Sequence, residues 1–266
     1  MTAPSNKGFL GTESWLSLVQ ADRPGLPPME ALGALSPEDV DALLGVFETG
    51  SLREEFGAFL CLRALLRRGS ELGAVSLGAE QRRRCIAALE TKATSFLSGE
   101  RGASEWLSVV VVVLWCAEAP DAAADTLVRT DVANLDDPLR HCVFSLMAYR
   151  ARARPDVRAA LESVGDRRPD LSGAVREALE QAGIVAAERL ASWSQRWIRD
   201  RDPEALSLLY HRYVENNGSE LTLEDVKRLF GEGPRQGRGD MTLQAESAEV
   251  YLEFNAEGRL TGWHGC

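Results

Sequence analysis

The stretch SEWLSVVVVVLWCAEAPDAAADTLVRT, Ser104–Thr130, decides the fold class of this chain. Its five consecutive valines, Val109–Val113, favour a strand on propensity alone. Two features favour a helix instead. Ser104 is placed to cap one, and the apolar run Leu107–Ala117 is longer than a typical strand. A helix apolar on every side is a buried one, so the segment predicts the inner helix of a layered array. At 11 residues the run is too short to span a bilayer.

The same segment holds an echo. APDAAADTLV places its Pro-Asp at Pro120, and RPDVRAALESV places its own at Pro155, 35 residues later. Each follows an apolar stretch, VVVVVLWCAE and VFSLMAYRAR. The register predicts two successive helix pairs, each a long inner helix followed by a proline-started second one. The pattern resembles HEAT-type α-solenoid repeats over about residues 36–200, with an irregular helical bundle as the alternative.

Helix signals continue on both sides. SPEDVDALLGVFETG offers Ser36 as cap, Pro37 at the first helical position, Asp39 at the capping-box position and Gly50 at the stop. SLREEFGAFLCLRALLRRG and AEQRRRCIAALETKATSFLSG follow, with Phe56, Phe59, Leu60 and Leu66 on the first and Cys85, Ile86, Leu89, Phe96 and Leu97 on the second. DLSGAVREALEQAG and VAAERLASWSQRWIRD carry the helical period to about residue 200. Asp202-Pro203 starts a further helix that stops at Asn217-Gly218, and Thr222 with Asp225 caps a short one.

The period then changes to two. GEGPRQGRGD reads as a glycine-rich loop and DMTLQAESA as a first strand. In EVYLEFNAEGRLTGWHGC, Val250, Leu252 and Phe254 alternate with Tyr251 and Glu253. Asn255–Gly258 fits a hairpin turn, and Arg259–His264 is the returning strand. Thr222 to Gly231 with Pro234, followed by Leu252 to Leu260, resembles the SmpA/OmlA-like modules of BamE and the related β-lactamase-inhibitor-protein fold, over about residues 203–264. Known members are mostly exported, many as lipoproteins. This chain has neither their signal sequence nor their lipid-attachment cysteine, so the resemblance implies a small interaction module and not an outer-membrane role. The expected organisation is a flexible tail at 1–11, an α-helical array at 12–201 and a small α/β module at 202–266 ending in an antiparallel strand meander.

Charge narrows the partner. The formal net charge is −10, with 2 basic and 7 acidic residues in 1–50, 15 and 14 in 51–160, and 13 and 19 in 161–266. An acidic surface repels phosphate backbones, so nucleic acid is disfavoured, and it suits either a basic protein or plain solubility. Only Lys7, Lys92 and Lys227 among the 30 basic residues are lysine, an arginine excess usual in GC-rich bacterial genomes. Five cysteines, with no C-x-x-C pair and no export signal, predict free thiols in a reducing cytoplasm.

Few residues invite chemistry. His141-Cys142 are adjacent, so on a helix they point about 100° apart and do not converge on one atom. His264 and Cys266 are two apart on a strand end and could share a metal, but a structural zinc wants four ligands and no second cluster is visible. The glycine-rich loop lacks the phosphate-binding pattern. No catalytic residue, cofactor or metal is therefore expected. Arg82–Arg84 point three ways on a helix, whereas Arg150, Arg152 and Arg154 form a local basic cluster. Trp193, Trp197, Tyr210 and Tyr213 are candidates either for core packing or for an aromatic partner-binding surface. The expected function is a non-enzymatic cytoplasmic protein-binding protein of the immunity type, neutralising a basic toxin or effector by direct binding. The alternatives are an adaptor or regulatory scaffold in a bacterial assembly, and an enzyme whose site the sequence does not display.

Overall fold

The computed structural model describes residues 37–49, 58–60, 62–63, 66, 77–99, 105–232, 235–236, 240–245 and 248–265. The expected tail at 1–11, the caps at Ser36 and Ser104, the stop at Gly50, most of Ser51–Gly69, and Cys61 and Cys266 lie outside the described residues. The protein is mainly α-helical with a small C-terminal antiparallel sheet. It divides into two compact units, one up to Cys142 and one from Val143.

In the first unit, α1 (Pro37–Thr49), α2 (Ala79–Leu97), α3 (Glu105–Glu118) and α4 (Pro120–Arg129) pack each on the next. The valine run is helical. Val111, Val112, Leu114 and Trp115 are all buried, so packing overrides the β propensity of valine. Pro120 opens α4 as its first residue, where a missing N–H costs nothing. The three arginines of α2 do diverge. Arg82 pairs with Glu118 of α3, Arg83 with Glu80 on its own helix, and Arg84 with Asp41 and Glu48 of α1. A 3₁₀ turn at Val132–Asn134 leads into α5 (Asp137–Ala151).

The second unit continues with α6 (Pro155–Arg167), opened by Pro155, then α7 (Ser172–Gln181), α8 (Ala187–Asp200) and α9 (Pro203–Leu208). Two residues join α8 to α9. Arg201 takes the left-handed conformation (φ 52°), and Asp202 caps α9 by accepting from the N–H groups of Glu204 and Ala205. The expected continuous helix to Asn217 is interrupted. Leu209–Val214 is a π-helical turn, followed by one helical turn at Glu215–Asn217. Asn216 and Asn217 then reach across to the end of α7, donating to the carbonyls of Gln181 (3.3 Å) and Gly183 (3.1 Å).

Thr222 caps α10 (Leu223–Phe230) in a capping box with Asp225. The sheet follows as β1 (Arg235–Gln236), β2 (Asp240–Ala245), β3 (Ala248–Phe254) and β4 (Leu260–Gly265), in the order β1-β2-β3-β4, all antiparallel. The short β1 corrects the reading of Gly231–Asp240 as loop alone. Met241, Leu243, Val250 and Leu252 face the core, and the alternation turns Glu249, Tyr251 and Glu253 to the other side. Gly258 takes φ +73° in the hairpin turn, and Asn255 Oδ1 accepts from the Arg259 N–H at 2.8 Å. Among the described residues every strand lies after Gly231. The core under the sheet also takes in Trp193 and Trp197, which precede the division at 201/202 expected from composition. They join it because α8 packs on α10.

Glycine at 183 is demanded twice. Its φ is +80°, and a Cβ there would fall 2.5 Å from the Asn216 Cβ. Gly183→Ala is expected to lower stability by about 2–4 kcal/mol, combining left-handed strain with overpacking. Gly45 lies inside α1, and a Cβ added there would meet nothing within 4 Å. Gly45→Ala is therefore expected to raise stability by about 0.5–1 kcal/mol. Denaturant melts of both variants against the parent check the pair.

Candidate functional site

Of the four aromatic residues singled out by spacing, three belong to the core. Trp193 is 3%, Trp197 1% and Tyr210 5% exposed, so these side chains pack in the core. Burial of an indole leaves an N–H to satisfy, and Trp197 Nε1 donates to the Phe230 carbonyl at 3.0 Å. This bond ties the end of α8 to the end of α10. The Arg201 guanidinium covers the Trp197 ring at 5.0 Å, and Arg189 covers Trp193 at 5.1 Å.

Tyr213 has a different place. It is partly buried and lines a groove of about 580 Å³ between α8 and α10. Ala187, Leu190, Ala191 and Ile198 line one wall from α8, and Leu229 lines the other from α10. Ile198 is 43% exposed, one of two large apolar side chains left open to solvent among the described residues. Ala187, Ala191 and Ile198 recur four and seven apart and so form one stripe of α8, beside the face of the two tryptophans, which Leu190 shares. That second stripe is a signal in VAAERLASWSQRWIRD that the tryptophan pair masked.

Charge at the groove is internally paired. Arg199 bonds Asp200, and Arg228 bonds Asp225 at 3.2 Å. Asp225 also accepts from the Thr222 hydroxyl at 2.6 Å and the Thr222 N–H at 3.1 Å, which holds its carboxyl below the usual range. The outer face of the sheet differs. Tyr251 donates to Asp240 at 2.9 Å and stacks on His264, while Glu249 and Glu253 of the same face pair with no cation among the described residues.

His141 uses Nδ1 in a 2.8 Å bond to the Asp137 carbonyl. Burial, reinforced by Glu118, pushes the Cys85 thiol up to about 12, and burial raises Cys142 as well. In the basic cluster Arg154 bonds Asp156 and Arg152 donates to Asn217. His264 is exposed at the edge of the sheet, and Cys266 lies outside the described residues. No group of three or more His, Cys, Asp or Glu side chains suited to a metal occurs among the described residues.

A carboxyl whose folded pKa is depressed contributes stability above its unfolded value, and that contribution is lost as pH falls through the folded value. For Asp225 the loss therefore begins near the unfolded value of about 4 and runs downward. Denaturant melts at pH 7, 4 and 3 are expected to show a smaller acid-induced loss in Asp225→Asn than in the parent. Equal losses would remove Asp225 from the acid response.

Set against known proteins, this chain matches no family model, no curated protein and no solved structure.

Proposed function

We propose that the protein is a non-enzymatic protein-binding protein and that the groove between α8 and α10 is where it holds its partner. The observation that carries this reading is the groove itself. Apolar side chains with Ile198 open to solvent line it, and its walls are fixed by the Trp197–Phe230 bond beneath. Apolar surface kept exposed on a rigid support is the usual anchor of a protein contact. Within this class we favour an immunity-type protein acting in the cytoplasm of a bacterium, neutralising a basic toxin or effector by direct binding. The acidic balance of residues 161–266 and the carboxylates Glu249 and Glu253 on the outer sheet face suit a basic partner.

The finer architecture belongs to the same proposal. The helices opened by Pro120 and Pro155, each following a helix rich in apolar residues, support a HEAT-like arrangement of the helical region. The Thr222–Asp225 capping box followed by the Asn255–Gly258 hairpin supports the likeness to the BamE-type and β-lactamase-inhibitor-type module. No helix among the described residues is long and apolar enough to cross a membrane.

Affinity capture from the native host, run side by side with parent, Ile198→Asp and Tyr213→Ala proteins, tests the reading. A partner at the groove is expected to be held about tenfold more weakly by either variant, the effect of losing a contact of roughly 1.4 kcal/mol. Its association rate with the parent is expected to fall as ionic strength rises, because screening shortens the reach of the acidic surface. A partner captured equally by all three proteins would move the site elsewhere.

A further inference from the structure

The π-helical turn Leu209–Val214 is held from both ends by the last strand. A Cβ on Gly265 would lie 2.5 Å from Cε1 of Tyr210, so the strand backbone rests against that ring. A Cβ on Gly218 would lie 2.7 Å from Cζ3 of Trp263, so the indole rests on the backbone just past the turn. Residues 263 and 265 of one strand thus bracket residues 210 and 218. Tyr213, between those two contacts, lines the groove, and its carbonyl accepts from Asn217 Nδ2 at 3.0 Å. The same Asn217 nitrogen donates to Gly183, which fixes the far end of the segment.

A π turn holds one residue more than the α-helical turn it replaces, and such turns are rare and concentrated at functional sites. Relaxing it to an α turn would rotate one flank by about 100° relative to the other. Tyr210 could not then meet Gly265 while Gly218 stays under Trp263. The observed docking of the β4 end thus fits the π register and not an α-helical one. We propose that the Trp263–Gly265 end of β4 is a latch that holds the π register and so keeps Tyr213 in the groove wall, which links docking of this strand end to occupation of the groove. The link follows from reciprocity, since whatever favours one register at one end favours it at the other. It rests on the groove being the docking surface, but the latch itself is measurable without a partner.

Hydrogen exchange resolved along the chain is the test. In the parent protein, amides of 209–214 and of 260–265 are expected to open together, with the same dependence on low denaturant and ahead of global unfolding. In Gly265→Ala, exchange at 209–214 is expected to accelerate by about tenfold while α8 and α10 keep their protection. Acceleration confined to 260–265, or parent segments that open with different denaturant dependence, would overturn the latch. Should Gly265→Ala fail to fold, the parent measurement alone decides. Coupled exchange in a protein whose captured partner ignores Ile198 and Tyr213 would leave the latch standing and remove the groove as its output.

Discussion

The hydrogen bond from the Trp197 indole to the Phe230 carbonyl is the constraint on which the second unit depends. An indole can enter a core only if its N–H finds an acceptor, because an orphaned buried donor costs about 1–3 kcal/mol. The last carbonyl of α10 is free to accept, since the final carbonyls of a helix lack intrahelical donors. One bond thus satisfies two groups and sets where α8 meets α10. The sheet then closes over the same core, with Leu252 and Phe230 both buried in it. In the first unit Trp115 is as deeply buried, yet its N–H has no acceptor among the described residues, so its ring is held by apolar packing alone.

Segment-level structure was legible because each segment carries its own start and stop. Pro120, Pro155, Asp202 and Thr222 open helices where their chemistry says they should, and Gly258 turns the hairpin. The valine run could be read as helix only by setting length and position against propensity. The π turn was not legible, because it has no residue preference of its own. It arises from the demand that Leu209, Tyr210 and Val214 all enter one core while Asn217 reaches Gly183. Strand β1 was hidden for a related reason. Two residues among glycines have no period to detect, and only pairing with Asp240 and Met241 makes them a strand.

The candidate site was half legible. The four-residue spacing of Trp193 and Trp197 said that they share a face, but not whether that face looks inward or outward. Tertiary packing decides it, by supplying the Phe230 carbonyl. Tyr210 and Tyr213 looked equivalent in sequence, three residues apart. The π turn separates them, sending Tyr210 against Gly265 and Tyr213 into the groove wall.

Arg201 sits where helices most often place glycine, in the left-handed conformation that ends α8. Holding a residue with a Cβ there costs about 1 kcal/mol. Its guanidinium offsets part of that by covering the buried Trp197 ring at 5.0 Å. The position is therefore a compromise between backbone ease and a lid for the indole. Substitution at this site meets opposed physical demands. Glycine would relax the chain and uncover the tryptophan, whereas lysine would keep the charge but lose the flat surface that stacks. A residue that looks like an ordinary surface arginine is consequently part of the cover over the indole core.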